Sequence, residues 1–267
     1  MYNRVVKQAL IKEIIRRIGD EILCIYEFGS GESEHHPRLS DTDLFVLCKR
    51  KETLNAVVQT IEELEGKLLH VHHSAREHFI ERHLLGTDSI SGIHVIAISH
   101  DELSKGKVRG FRLRLLTTFG ISKAVFLYDF KHHAVLLFGT DLRDQVPIGS
   151  PGIRDRILTF VLSGIVLLFL PLAMGNKSNF KVWCFKATKY YVHCMEVIAR
   201  IVHRNPALTY KDLDYHLELY ETARTYRYEP HRYEENLLGL YARTWFSFLR
   251  NLSFIWRGPV LREASTS

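Results

Sequence analysis

An uncharged stretch in the second half of this chain constrains its fold more than any other feature. The run Ile157–Met174 (ILTFVLSGIVLLFLPLAM) has no charged residue and lies between Arg156 and Lys177. Such a run requires a helix in an apolar setting. The helix either spans a membrane, for which about eighteen residues is the lower limit, or is buried on all sides in a protein core. Gly164 and Pro171 inside the run, and the lack of a second such run or an aromatic belt, favour the core helix.

The bulk composition indicates a folded protein with an excess of positive charge. Of 267 residues, 46% are hydrophobic and 25% are charged, which is ordinary for a globular chain and argues against disorder. The length suits two modest domains or one large one. The formal net charge of +6 favours anionic partners, but a solvated lysine and arginine surface produces the same value. A nucleic-acid partner therefore stays open without being favoured.

The four cysteines and the N-terminus indicate the compartment. Cys24, Cys48, Cys184 and Cys194 show no Cys-x-x-Cys spacing and lie in apolar runs. This is typical of buried thiols in a reducing environment rather than of a disulfide framework or a zinc site. The N-terminal run MYNRVVKQALIKEIIRRIGD has helical spacing and no signal-peptide core, so we expect a cytoplasmic protein.

The first part of the chain mixes strand and helix patterns. Helical periodicity predicts helices over Val5–Ile18 and Lys51–Gly66. Short apolar runs predict strands at Ile22–Phe28, Leu44–Cys48, Leu68–His72, Ile93–Ile98, Ala124–Tyr128 and Ala134–Phe138. This mixture predicts a small mixed β-sheet covered by helices.

The rest of the chain has helical patterns, after a stretch rich in proline and glycine at Val146–Gly152. Further helices are predicted at Phe180–Arg204, which Asn205-Pro206 ends, at Leu213–Tyr226 and at Tyr233–Trp256. We therefore predict an α+β protein, with a small mixed-sheet domain over residues 1–148 and an all-α helical bundle domain over residues 149–267.

One stretch of the predicted sheet domain contains candidate phosphate-binding and metal-binding residues. Residues 26–43 read YEFGSGESEHHPRLSDTD, in which Gly29 and Ser30 follow a strand and Asp41 and Asp43 open the next one. Glycine lets backbone N–H groups approach an anion, and the serine hydroxyl adds a further donor for a phosphate. Residues i and i+2 of a strand point to one face, so the two carboxylates lie side by side and repel unless a cation sits between them. Hard divalent ions such as Mg²⁺ take oxygen ligands of this kind and share them with substrate phosphates.

Each half of this stretch also has an ordinary structural explanation. Gly-Ser-Gly is a common loop, and Ser-Asp-x-Asp commonly opens a strand by capping free N–H groups. The combination of a strand, Gly-Ser, Asp-x-Asp and a second strand is far more typical of a phosphate cradle beside a two-carboxylate metal site. Phosphoryl or nucleotidyl transfer needs such a site.

The same stretch resembles a known family. FGS…SDTDLFVL is similar to the signature of the polymerase β-like nucleotidyltransferases, which follow a strand with Gly-Gly or Gly-Ser and then with Asp-x-Asp or Asp-x-Glu. AVLLFGTDL (Ala134–Leu142) resembles the run that closes the catalytic domain of bacterial antibiotic and small nucleotidyltransferases, and the helices after it resemble their helical domain. The resemblance implies that Gly29 and Ser30 hold the phosphates of the nucleotide. It also implies that Asp41 and Asp43 are catalytic and bind two divalent metals, Mg²⁺ or Mn²⁺.

The chain departs from this family where a third carboxylate is expected. The family normally supplies that acid from a later strand, often as the base that deprotonates the acceptor hydroxyl. The candidate strands KLLHVHH and GIHVIAIS hold no acid and have His70, His72 and His94 in the corresponding places. A histidine suits a general base near neutral pH better than it suits Mg²⁺. The alternative acids lie near strand ends, at Asp88, Asp101 and Asp129.

We therefore expect an enzyme, a metal-dependent nucleotidyltransferase that moves a nucleoside monophosphate from an NTP to a hydroxyl acceptor. The resemblance implies a small-molecule acceptor such as an aminoglycoside, or a protein side chain. The missing third acid leaves an alternative open, a nucleotide-binding protein of the same fold with weak or no catalysis. Neither the acceptor nor the preferred base follows from the motif, because a fold does not determine its substrates.

Overall fold

The computed structural model describes residues 2–28, 42–68, 93–104, 123–146, 151–174, 180–214 and 237–257, together with positions 218, 219, 221 and 261. The chain divides into two compact units. The sheet unit comprises residues 1–118 and 127–149, and the helical unit comprises residues 119–126 and 150–267. The predicted domain division between residues 148 and 149 stays a prediction.

The elements follow one another in the mixed order that the periodicities predict. The first part contains α1 (Tyr2–Ile18), β1 (Ile22–Phe28), β2 (Thr42–Cys48), α2 (Thr53–Leu68), β3 (Ile93–Ser99), α3 (His100–Ser104), α4 (Lys123–His133) and β4 (Val135–Gly139). The second part contains α5 (Ile153–Met174), α6 (Phe180–Val202), α7 (Leu237–Arg250) and α8 (Phe254–Arg257). A small mixed sheet precedes a mostly helical remainder, which confirms the predicted α+β class.

The four strands form one sheet in the order β3-β2-β1-β4. β1 is antiparallel to both β2 and β4, whereas β2 and β3 are parallel. Because strand side chains alternate between faces, β1 and β2 bury an aliphatic set on one side and an aromatic set on the other. The aliphatic face packs against α1 and α2 through residues that include Leu10, Ile14, Ile25, Val46 and Val57.

The aromatic face of the sheet packs against α4. The ring of Phe130 lies 5.1 Å from that of Tyr26 and 4.4 Å from that of Phe45, between ring centroids. The predicted strand Ala124–Tyr128 is therefore wrong, because this run belongs to a helix. Leu127, Phe130 and Ala134 are all buried and recur at helical spacing, so packing on the sheet selects the helix over the strand that the local apolar run favours.

The helical unit is built around α6. Most of this helix is buried, and it packs against α5 and α7 through a cluster that includes Tyr191, Met195 and Ile198. Polar groups inside the cluster are paired across the helices. The Tyr191 hydroxyl lies 3.1 Å from the Ser247 hydroxyl and accepts a hydrogen bond from the Asn251 amide at 2.8 Å. A fully paired buried network of this kind specifies one packing arrangement of the helices.

The uncharged run forms α5, but this helix is not buried on all sides. Phe160 and Leu167 are fully buried against α6 and α7, whereas Val161 is 46% and Leu172 is 61% exposed. Among the described residues, α5 is the one helix that is long and apolar enough to cross a membrane, and 39% of its apolar 18-residue window is buried inside the protein. The helix that is buried on nearly every side is α6.

Three further predictions about elements need correction. The strand predicted at Leu68–His72 starts on a residue that ends α2, and its other residues lie outside the described ones. The helix predicted over Tyr233–Trp256 is interrupted by a 3₁₀ turn at Asn251–Ser253. There the Asn251 side chain turns inward to Tyr191 and Ser247. The helix predicted from Leu213 does not begin there, because Leu213 forms a β-bridge with Leu261.

Candidate functional site

The strands of the sheet bring four backbone positions together at one end. In the register of the sheet, Phe28 of β1 pairs with Asp43 of β2, and Asp43 also pairs with His94 of β3. β4 starts at the same end, where Val135 pairs with Glu27. We call this end of the sheet the Asp43 end.

In the sequence, the predicted phosphate turn follows β1 directly and the predicted metal pair opens β2. Gly29, Ser30 and Asp41 lie outside the described residues, and Asp43 is described as a backbone position in β2. Gly29 is bonded directly to Phe28, the partner of Asp43. Paired Cα atoms of antiparallel strands are roughly 5 Å apart. The structure thus places Phe28, the residue that precedes Gly29 in the sequence, next to the strand position of one predicted metal ligand.

The third position at this end of the sheet carries a histidine. β3 runs parallel to β2, and His94 is the backbone partner of Asp43. Residues two apart in a strand share a face, so positions 43 and 94 belong to the same face of the sheet as Phe45 and Ile96. Phe45 and Ile96 are buried on the aromatic side. Of the three histidines considered for the third place, His94 is a register neighbour of Asp43, whereas His70 and His72 lie outside the described residues.

Sequence reasoning overlooked one buried carboxylate close to the site. Glu27 is 4% exposed and immediately precedes the end of β1. It pairs with Leu44, one position from Asp43, so strand alternation assigns it to the aliphatic face, opposite to position 43. Its signal in the sequence is a single glutamate inside the apolar strand ILCIYEF, whereas the resemblance places the third acid on a later strand.

The three alternative acids, Asp88, Asp101 and Asp129, lie in different parts of the chain. Asp88 lies outside the described residues. Asp101 is exposed in the first turn of α3, after the far end of β3, roughly 20 Å along the strand from the Asp43 end. Asp129 lies on α4, and it is the alternative acid that the topology brings toward the site.

α4 runs toward the Asp43 end and covers the aromatic face there. The helix is followed directly by β4, which begins at that end, and the Ala134 amide donates to the Phe130 carbonyl at 3.0 Å where the two elements join. The last turns of α4 carry Asp129 and His133, with Asp129 Oδ1 3.9 Å from His133 Nε2. Phe130 of the same helix packs on Phe45, so the helix that carries this acid–histidine pair covers the face of the sheet to which position 43 belongs.

The run that resembles the end of a catalytic domain holds β4 against β1. The Tyr26 hydroxyl donates to Asp141 Oδ1 at 3.1 Å and accepts from the Leu142 amide at 2.6 Å. The Arg143 guanidinium binds both carboxylate oxygens of Asp141, the shortest contact being 2.7 Å, and donates to the Ala134 carbonyl at 2.8 Å. Hydrogen bonds from Arg143 hold the pKa of Asp141 well below its usual range. This carboxylate therefore has structural partners, and it follows the end of β4 remote from Asp43.

A metal site is not formed by the described side chains alone. Among them, no group of three or more histidines, cysteines, aspartates or glutamates is placed to hold a metal ion. The predicted ligands Asp41 and Asp43 fall outside that set. Their residue types are the oxygen donors that Mg²⁺ and Mn²⁺ prefer, and the sheet register pairs Asp43 with Phe28.

Comparison with known proteins gives a likeness to a solved structure. No protein-family model matches this chain, and no curated protein matches it. The crystal structure of spectinomycin adenyltransferase AAD(9) from Enterococcus faecialis with ATP and spectinomycin is similar over 88% of this chain and 88% of that chain. The sequence identity is 15% and the TM-score is 0.42, values that do not assign a family.

Proposed function

We propose that this protein is a metal-dependent nucleotidyltransferase that transfers a nucleoside monophosphate from an NTP to a hydroxyl acceptor, with pyrophosphate as the leaving group. The observation that carries the proposal is the pairing of Phe28 with Asp43. It joins the strand that leads into Gly29-Ser30 to the strand that Asp41 and Asp43 open, at one end of a small mixed sheet. An acceptor with a hydroxyl group, either a small molecule such as an aminoglycoside or a protein side chain, completes the reaction.

The residues of this end have separate roles in the proposal. Backbone N–H groups at Gly29 and the hydroxyl of Ser30 bind the phosphates of the nucleotide. Asp41 and Asp43 hold divalent cations, Mg²⁺ or Mn²⁺, through their carboxylate oxygens. When bound, such cations neutralise charge on the polyphosphate and activate the attacking oxygen. The two aspartates also orient the nucleotide, because phosphoryl chemistry depends mainly on positioning and electrostatic stabilisation.

Two described residues are candidates for the base that accepts the proton of the acceptor hydroxyl. His94 is the backbone neighbour of Asp43, and Asp129 lies on the helix that covers the same face. A histidine base titrates at about pH 6.5, so the transfer rate would rise with pH through that value.

A second candidate function is nucleotide binding with weak or no turnover. The observation in its favour is that the register neighbour of Asp43 on β3 is a histidine and not an acid. Imidazole is a poorer ligand for Mg²⁺ than carboxylate, so a site with two acids would bind a nucleotide–metal complex more readily than it would process it. Nucleotide binding by calorimetry, without pyrophosphate release over the acceptor panel, would favour this candidate.

The test is a transfer assay on the purified full chain. Radiolabelled ATP, GTP, CTP and UTP are each supplied with Mg²⁺ or Mn²⁺ and a panel of aminoglycosides and hydroxyl-bearing proteins. We expect label on an acceptor and release of pyrophosphate. Asp41→Asn and Asp43→Asn should each lower kcat/KM by roughly 10³-fold, the scale for removing one group that stabilises charge in a transition state.

Asp144→Asn is the matched control. Its carboxylate is fully exposed and lies beyond the end of β4 remote from Asp43, so this variant should keep wild-type activity. His94→Gln and Asp129→Asn identify the base by which of the two variants loses the transfer rate, and loss of the wild-type rise in rate between pH 5 and 8 in His94→Gln would assign the role to His94. If the wild-type chain binds no NTP, or if Asp43→Asn binds and transfers like wild type, the proposed site is wrong.

A further inference from the structure

The exposed side of α5 is an apolar surface without a polar break. Six residues of this helix, 37% to 61% exposed, form what we call the α5 strip: Ile157, Val161, Ile165, Leu168, Phe169 and Leu172. The positions 157, 161, 165, 168 and 172 recur at intervals of three and four, so they fall on one side of a helix. Together the six leave roughly 500 Å² of apolar surface exposed, at about 180 Å² for each whole side chain.

A surface helix in contact only with water would carry polar residues at these positions. α1 shows the ordinary pattern, with exposed Lys12, Arg16 and Arg17 on its outer side. A lone membrane-spanning helix does not explain the strip either, because such a helix would meet lipid around its whole circumference. The opposite side of α5 is already packed on α6 and α7 through Phe160 and Leu167. The α5 strip therefore indicates an apolar partner that packs against the exposed side of α5.

We propose that the α5 strip is the interface of a homodimer, in which α5 of one copy packs antiparallel against α5 of a second copy. A stable interface buries about 800 Å² per partner, and the strip supplies more than half of this. The neighbouring helix α7 packs on α5 by stacking Phe248 on Phe160, with ring centroids 4.7 Å apart. It adds exposed Phe246 and Leu249, at 70% and 56%. Together the two helices expose roughly 730 Å² of apolar surface, which is close to that area.

The spacing of the strip suits pairing with itself about a two-fold axis. Ile157 and Leu172 are equally far from a centre between Gly164 and Ile165, and so are Val161 and Leu168. In an antiparallel pair, each of these residues faces a strip residue of the second copy, as an isologous interface requires. Antiparallel packing also sets the exposed Arg154 of each copy beside the negative C-terminal end of the partner helix, whereas parallel packing would bring the two arginines together.

The first test is the mass of the full chain in solution, measured by light scattering after size exclusion between about 1 and 100 μM. We expect the wild-type chain to have twice its monomer mass of 31.1 kDa. Val161→Glu buries two carboxylates in the interface and should weaken dimerisation by at least 100-fold. Val135→Glu is the matched control, because Val135 is 49% exposed against 46% for Val161 but lies on β4, so this variant should remain a dimer.

Three outcomes would overturn the proposal. They are a wild-type chain that is monomeric at every concentration, a Val161→Glu variant that folds and stays dimeric, and a wild-type chain that loses its dimer in favour of phosphatidylcholine–phosphatidylglycerol vesicles. The last result would assign the strip to lipid. Circular dichroism spectra and melting temperatures that match wild type establish that Val161→Glu is folded.

Cross-linking tests the geometry without a destabilising charge. All four native cysteines are buried, so an introduced cysteine on the strip supplies the accessible thiol. With a short bis-maleimide, Ile165→Cys should form covalent dimers, because this position lies at the centre of the strip. Leu172→Cys should link only when it is mixed with Ile157→Cys. Efficient linking of Leu172→Cys to itself, or no linking of Ile165→Cys, would contradict the antiparallel pairing.

Discussion

Gly139 shows how a single residue can be required by the close approach of two strands. It ends β4 with a φ of +84°, a region that residues with a Cβ rarely adopt. A Cβ at this position would lie 1.9 Å from the Leu23 carbonyl oxygen on the neighbouring strand. The sequence indicated the end of a strand at Gly139, but the contact with Leu23 arises from the pairing of β4 with β1.

The cysteines allow a prediction at the same scale. Burial raises the pKa of Cys24 to about 11, of Cys184 to about 11 and of Cys48 to about 12. A thiol with a pKa of 11 is about 0.1% thiolate at pH 8, and the thiolate is the reactive form. Native protein at pH 8 should therefore react with a thiol-specific disulfide reagent at least 100-fold more slowly than unfolded protein, in which four thiols per chain react.

The reaction of the native protein should accelerate about tenfold per pH unit, because the thiolate fraction rises by that factor below the pKa. Burial of all four thiols also slows labelling of the native protein, because it restricts the access of the reagent. Rapid labelling of one or more thiols in the native chain at pH 8 would contradict this account.

At the scale of elements, α5 continues through a proline because a neighbouring helix compensates for it. Pro171 has no N–H, so the carbonyl of Leu167, four residues earlier, lacks its helical partner. The Tyr241 hydroxyl of α7 donates to this carbonyl instead. Gly164, one turn before Leu167, admits the Phe248 ring, which would lie 2.4 Å from a Cβ there. The two residues that weaken α5 locally are the points at which α7 packs against it.

This pairing predicts a coupled effect of two substitutions on stability. Tyr241→Phe leaves the Leu167 carbonyl unpaired and should lower the free energy of unfolding by about 1 to 2 kcal/mol. In a Pro171→Ala background, the amide of residue 171 can bond to that carbonyl, so Tyr241→Phe should cost about 1 kcal/mol less. Urea unfolding of the four proteins measures the difference. Additive effects would show that the hydroxyl does not replace the missing helical bond.

At the scale of the whole molecule, the proposed site predicts linkage between ligand and folding. A ligand that binds the native chain stabilises it by about 2.7 kcal/mol at one hundred times its Kd, which raises the melting temperature of a chain of this size by roughly 5 °C or more. We expect this shift for the preferred NTP with Mg²⁺, and we expect EDTA to reduce it. Asp43→Asn should melt like wild type without ligand and show little or no shift with it.

A nucleotide-induced shift of equal size in wild type and Asp43→Asn would mean that the nucleotide binds elsewhere. A melting temperature of ligand-free Asp43→Asn far below that of wild type would assign Asp43 a structural role instead. Asp144→Asn again serves as the control, because its carboxylate is fully exposed.

The local pattern was sufficient for much of this fold and for part of its site. β1, β2, β3, β4 and the long helix α6 follow from apolar periodicity, because half-buried strands and helices repeat every two or about 3.6 residues whatever they pack against. The Gly-Ser and Asp-x-Asp elements follow from residue chemistry and spacing alone. The roles of the individual side chains at positions 29, 30, 41 and 43 remain predictions.

Long-range packing determined the rest. The run Ala124–Tyr128 is apolar enough for a strand, and it is helical because Phe130 packs between Tyr26 and Phe45, more than eighty residues away. The neighbours of Asp43 on both adjacent strands depend on sheet register, which no local pattern contains. Likewise, the absence of charge in Ile157–Met174 predicts a helix in an apolar environment. Which side of that helix remains exposed depends on where α6 and α7 pack.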